Sequence, residues 1–157
     1  MKIVKIKPFD NFELYFTLVL CKTRKQMHCA IRKHNPKIEI LTKNTSGMVS
    51  PNDFITSNKL DGKFRSNYIG KMFLNLDDIK IESQIVVHEC THMTFSFNHY
   101  VLRYYGNYWS QENYAEFAFL GGGDIQETFC YFLENCYKKV WETIRRYKRE
   151  LKHGKGI

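Results

Sequence analysis

The chain is expected to fold as an α+β protein, with a small, mostly antiparallel N-terminal sheet followed by two long helices. Three observations predict this. Runs rich in β-branched and aromatic residues crowd into residues 1–78, and apolar residues at spacings of three, four and seven dominate residues 79–157. No internal repeat, low-complexity stretch or Pro/Gly/Ser linker divides the chain, and 157 residues fit one domain spanning 1–157.

Residues Ile3 to Lys7 and Glu13 to Cys21 read as strands, separated by the turn-prone Pro8-Phe9-Asp10-Asn11. Lys22 to His34 reads as a helix with Thr23 as N-cap, stopped at Asn35-Pro36 because a residue before proline is pushed out of the helical region. Ile38 to Leu41 reads as a short strand. The polar stretch from Thr42 to Asp61 reads as a loop, long enough for a functional flap. Arg65 to Leu76 returns to strand character and suits a sheet edge, with Gly70 inside it at a bulge or close backbone approach. Asp77-Asp78 put negative charge at the start of a helix from about Ile79 to Tyr104. A shorter helix from Gln111 to Phe119 ends at Gly121-Gly122-Gly123. A last helix then starts at Asp124 as N-cap, with Ile125, Phe129, Phe132, Leu133, Cys136, Val140 and Trp141 as its core stripe.

Composition narrows the possible functions. Hydrophobic residues at 43% and aromatics at 15% exclude long-range disorder. No apolar run approaches the roughly 18 residues of a membrane helix, and Phe12 to Cys21, the longest candidate, contains Glu13. That stretch is also too short and acidic for a signal peptide. Five unclustered cysteines fit reduced thiols and a cytoplasmic location. The net charge is +8, and from Lys138 onward eight basic residues face two acidic ones. Residues 138–155 therefore form a basic helix that suits nucleic acid or an acidic partner, although a solvated helix end has the same composition.

The chemistry centres on His88-Glu89-Cys90-Thr91-His92, an H-E-x-x-H within the helix that follows Ile85-Val86-Val87. Histidines at i and i+4 lie one above the other, so both imidazoles can reach one zinc ion at 2.0 to 2.1 Å. Glu89 stands beside them, where it can take a proton from the attacking water and return it to the leaving amine. Cys90 faces away from the metal side and reads as a small core residue.

A catalytic zinc needs a third protein ligand. Glu127 is the favoured residue, in the first turn of the last helix and just beyond the triple glycine; its competing role is to complement that helix's dipole. Among the alternatives, His99 lies about 10 Å further along one straight helix than His92, Asp124 suits an N-cap, and Glu134 is two turns beyond Glu127. Tyr131, one turn from Glu127, can stabilise an oxyanion if it points into the cleft, with core packing as the alternative.

The strand containing Tyr68-Ile69-Gly70, the Val87-to-His92 motif and the segment Glu127-Thr128-Phe129-Cys130-Tyr131-Phe132-Leu133 together resemble small zincin-like metallopeptidases. The third-ligand segment in particular is similar to the E-x-F-A-Y-L type helix of small phage-encoded HExxH proteins and, more distantly, to the ImmA/IrrE peptidases. The resemblance covers residues 65–137. It implies a minimal zincin-like domain of the glutamate type, with His88, His92 and Glu127 holding one zinc ion and Glu89 as general base. It also implies an edge strand near Gly70 that receives extended peptide, and a viral or mobile-element origin in which the protein works in the host cytoplasm. The metzincin extension would need a glycine where Phe95 stands and a histidine where Asn98 stands, so that family is excluded. Tyr131 also occupies the place of an acid that thermolysin-like enzymes carry.

Two functions follow from these residues. One is a zinc-dependent endopeptidase of narrow specificity acting on a cytoplasmic protein or peptide substrate. The other is a zincin-fold binding or regulatory protein that docks on a protein or nucleic acid without needing catalysis.

Overall fold

A computed structural model describes residues 1–10, 13–36, 45–51, 67–78, 84–105 and 125–153. Four strands form one mixed sheet in the order β1-β2-β4-β3: β1 (Lys2–Ile6), β2 (Tyr15–Cys21), β3 (Gly47–Pro51) and β4 (Tyr68–Asn75). β1 pairs antiparallel with β2, and β3 pairs antiparallel with β4. The two central strands, β2 and β4, are parallel. The α+β class is therefore found, but the mostly antiparallel sheet expected from the sequence is corrected to a mixed one. The physical reason is the long connection between β2 and β4, which contains a helix and lets β4 lie alongside β2 in the same direction.

That helix, α1 (Arg24–His34), starts as expected. Thr23 Oγ1 accepts from the Gln26 N–H at 3.2 Å, and the Gln26 side chain accepts from the Lys22 N–H at 2.8 Å, a near capping box. Arg32, Lys33 and His34 complement the dipole in its last turn, and Asn35 is extended ahead of Pro36. α1 covers one face of the sheet, where Val19, Cys21 and Phe73 pack on Met27 and Ile31.

The other face carries the larger core. Phe16, Leu18, Leu20, Met72 and Leu74 pack there against α2 (Gln84–Tyr105) and α3 (Ile125–His153). Ile69 belongs to that core as well, although it stands three residues from Met72. Alternation would put the two on opposite faces. A bulge resolves this: the register advances from Tyr15 opposite Tyr68 to Thr17 opposite Lys71. Gly70 absorbs the extra residue at φ 149°, a conformation open to glycine and strained for other residues. The bulge anticipated at Gly70 is present.

β4 itself is not an edge. It lies between β2 and β3, and among the described residues the edges of the sheet are β1 and β3. β3 occupies part of the stretch from Thr42 to Asp61 that the sequence suggested was a loop; the rest of that stretch beyond 45–51 lies outside the described residues. The strand expected at 38–41, the helix expected at 111–119 and the N-cap at Asp124 also lie outside them. Asp78 binds Arg24 at 2.8 Å, Ser46 at 2.5 Å and Asn75 at 2.8 Å. It thus clasps the starts of α1 and β3 to the end of β4.

α2 and α3 run antiparallel. The Cys90 and Cys136 thiols are hydrogen-bonded, and Phe97 stacks on Phe132 at 4.3 Å while meeting Phe129 edge-on at 5.7 Å. All five cysteines are free thiols. No helix among the described residues is long and apolar enough to cross a membrane.

Candidate active site

α2 buries one stripe at three-to-four spacing: Val86, Glu89, Cys90, Met93, Ser96 and Phe97. His88 and His92 occupy the adjoining exposed strip. Their Nε2 atoms stand 3.1 Å apart, with ring planes at 82°. This separation is less than twice the 2.0 to 2.1 Å of a zinc–imidazole bond, so both nitrogens can reach one ion. As a donor set, two exposed imidazoles with converging nitrogens suit zinc.

Glu89 is the exception in the buried stripe, an acid only 5% exposed. Its Oε2 has no hydrogen-bond partner. Burial pushes its carboxyl up from an ordinary 4.5 to about 7, because the charged form loses water. The cover over Glu89 is β3. A Cβ built on Gly47 would lie 2.7 Å from both Cγ and Oε1 of Glu89, so the strand passes too close for any side chain.

Ser46, the residue before Gly47, is held by Asp78, and the Asn75 N–H donates to the Ser46 carbonyl at 2.9 Å. Burial raises the Asp78 carboxyl, but hydrogen bonds from Ser46, Arg24 and Asn75 outweigh it and hold the group below its ordinary range. The clasp therefore stays charged near neutrality and fixes β3 over Glu89. Sequence reasoning missed both Gly47 and this role of Asp78. The available signals were a glycine opening a short apolar run and an acid with several donors to satisfy.

The close approach at Gly47 predicts the behaviour of Gly47→Ala. The new methyl forces β3 or Glu89 to move, at an expected cost of about 1–3 kcal/mol in urea unfolding. In a Glu89→Ala background the same change should cost almost nothing. Equal costs in both backgrounds would mean that the contact does not govern the strand.

Glu127 and Tyr131 are less closely placed. Both are exposed on α3, Tyr131 at 40%, on a strip beside the buried stripe of Thr128, Phe132, Cys136 and Val140. Among the described residues no group of three or more His, Cys, Asp and Glu converges to hold a metal ion. The helix packing gives the reason. Joining Cys90 to Cys136 and Phe97 to Phe129 carries the start of α3 beyond Phe97, past the level of His92. Glu134, exposed between Phe132 and Cys136, is the α3 acid nearest that level. Cys90 is buried, away from the two imidazoles, as expected. His99 lies within α2.

No protein-family model, curated protein or solved structure matches this chain.

Proposed function

We propose that this chain is a zinc-dependent peptide-bond hydrolase of the glutamate zincin type, acting as a narrow-specificity endopeptidase on a cytoplasmic protein. The observation that carries the reading is the juxtaposition of two imidazoles 3.1 Å apart with a buried carboxyl, its Oε2 without a hydrogen-bond partner, on the residue after His88. In this reading His88 and His92 would hold the ion with Glu127 as third ligand, which requires the start of α3 to approach the level of His92 when the ion is bound. When bound, zinc supplies Lewis-acid polarisation of the scissile carbonyl and makes water a nucleophile near neutral pH. Glu89 accepts the proton of the attacking water at a carboxylate oxygen and delivers it to the leaving amine. A value near 7 suits both transfers. Tyr131 is a candidate donor to the developing oxyanion. The edge that receives an extended peptide is β3, not the strand at Gly70, since β3 is the edge strand lying over Glu89.

The test is the metal content of protein purified without added zinc or a histidine tag, measured by mass spectrometry. About one zinc per chain is expected, absent in His92→Ala and strongly reduced in Glu127→Ala. Loss in Glu134→Ala instead of Glu127→Ala would move the third ligand to Glu134. No zinc in the wild-type protein, even after zinc is supplied, would overturn the enzyme reading. The second reading, a zincin-fold protein that binds a partner without catalysis, is favoured by the exposed position of Glu127 away from the level of His92. It requires the biological activity to survive Glu89→Gln.

A further inference from the structure

At the margin of the sheet opposite β3, a groove of about 440 Å³ runs between β1 and α3. Residues 4–7 form its strand wall, and Lys139, Glu142, Thr143, Arg146 and Arg149 form its helix wall. Successive side chains of a strand point to opposite faces, so a cleft over one face is lined by alternate residues. Four consecutive residues line this one, which sets it along the edge of β1. Among the described residues that edge is open: β1 ends the strand order and pairs only with β2. Its outward backbone N–H and C=O groups are available to another strand.

The groove is also strongly cationic. Lys5, Lys7, Lys139, Arg146 and Arg149 face the single carboxylate of Glu142. Lys7 and Lys139 reach the exposed acids Glu13 and Asp10. Arg146 and Arg149 are exposed and form no ion pair with a described residue. Lysines on an edge strand oppose pairing with a like-charged strand, and the exposed Lys5 does so against a second copy of β1, whereas Lys2 is paired with Glu150. The same charges admit an acidic strand.

We infer that this groove docks an acidic peptide in extended conformation, which adds to the open edge of β1 while its carboxylates meet Arg146, Arg149 and Lys139. Nucleic acid fits less well. It has no peptide backbone to satisfy a strand edge, and among the described residues no aromatic ring lines the groove to stack a base. The inference does not depend on the metal reading, because none of these residues belongs to that site.

The experiment is fluorescence anisotropy with a labelled peptide of about eight residues alternating glutamate and valine. Two N-methylated versions, one for each alternate set of residues, and a single-stranded oligothymidylate of equal charge accompany it. The acidic peptide should bind. Arg146→Glu combined with Arg149→Glu should weaken it at least about tenfold, as should N-methylation of one of the two sets. The charge-reversed protein should instead take a lysine–valine peptide, which shows that it is folded. Absence of acidic-peptide binding, affinity unchanged by both N-methylations, or tighter binding of the oligothymidylate would each overturn the inference.

Discussion

Glu89→Gln is expected to lower peptide hydrolysis by about 10²–10⁴-fold while zinc content stays at the wild-type level. The amide has the size of the carboxyl but cannot accept and return the proton, so the loss should fall on kcat with KM little changed. Its place in the fold makes the substitution clean. Glu89 forms no hydrogen bond through Oε2 that the amide would break, and Gly47 leaves room for a group of that size only. His92→Ala should abolish both hydrolysis and zinc binding. The contrast separates the proton carrier from the ligand. Hydrolysis that survives Glu89→Gln at the wild-type rate would remove Glu89 from the reaction.

The parts of this arrangement legible in the sequence are the local ones. The histidine pair follows from a spacing of four on one helix, and α1 from Thr23 and Asn35-Pro36, all within a turn of the ends they define. The sheet order is not local, because it depends on which strands pair across the chain. β2 and β4 are buried along most of their length, with side chains in both cores, as central parallel strands are. β3 was hidden because Gly47, Ser50 and Pro51 are poor strand formers; pairing with β4 and packing against α2 make it a strand. The burial of Glu89 depends on that hidden strand, so no local pattern around His88 and His92 announces it. The level of Glu127 relative to His92 depends on how α3 packs on α2, through Phe97, Phe129 and Phe132, and spacing along the chain does not contain that information.

The same burial predicts that Glu89→Gln stabilises the metal-free protein at alkaline pH. Because its folded-state pKa lies near 7 against an ordinary 4.5, the folded chain holds a proton on Glu89 that the unfolded chain has released between those values. Stability from this group is therefore fully present below about pH 4.5 and lost as pH rises through 7, levelling off above it. The difference in pKa corresponds to about 3 kcal/mol. Glutamine carries no charge at any of these pH values and escapes the penalty. Urea unfolding in the presence of a chelator should show the variant and the wild type nearly equal at pH 4.5, and the variant more stable by up to about 3 kcal/mol at pH 8. Comparing the two proteins at each pH cancels every other titrating group. With zinc supplied, the gap should shrink, since a nearby dication favours the carboxylate. A stability difference that does not change with pH would show that Glu89 is not buried as a costly charge. A gap that opens with pH and closes with zinc would mean that the fold is strained at Glu89 in the absence of the ion, at the group proposed to carry the proton.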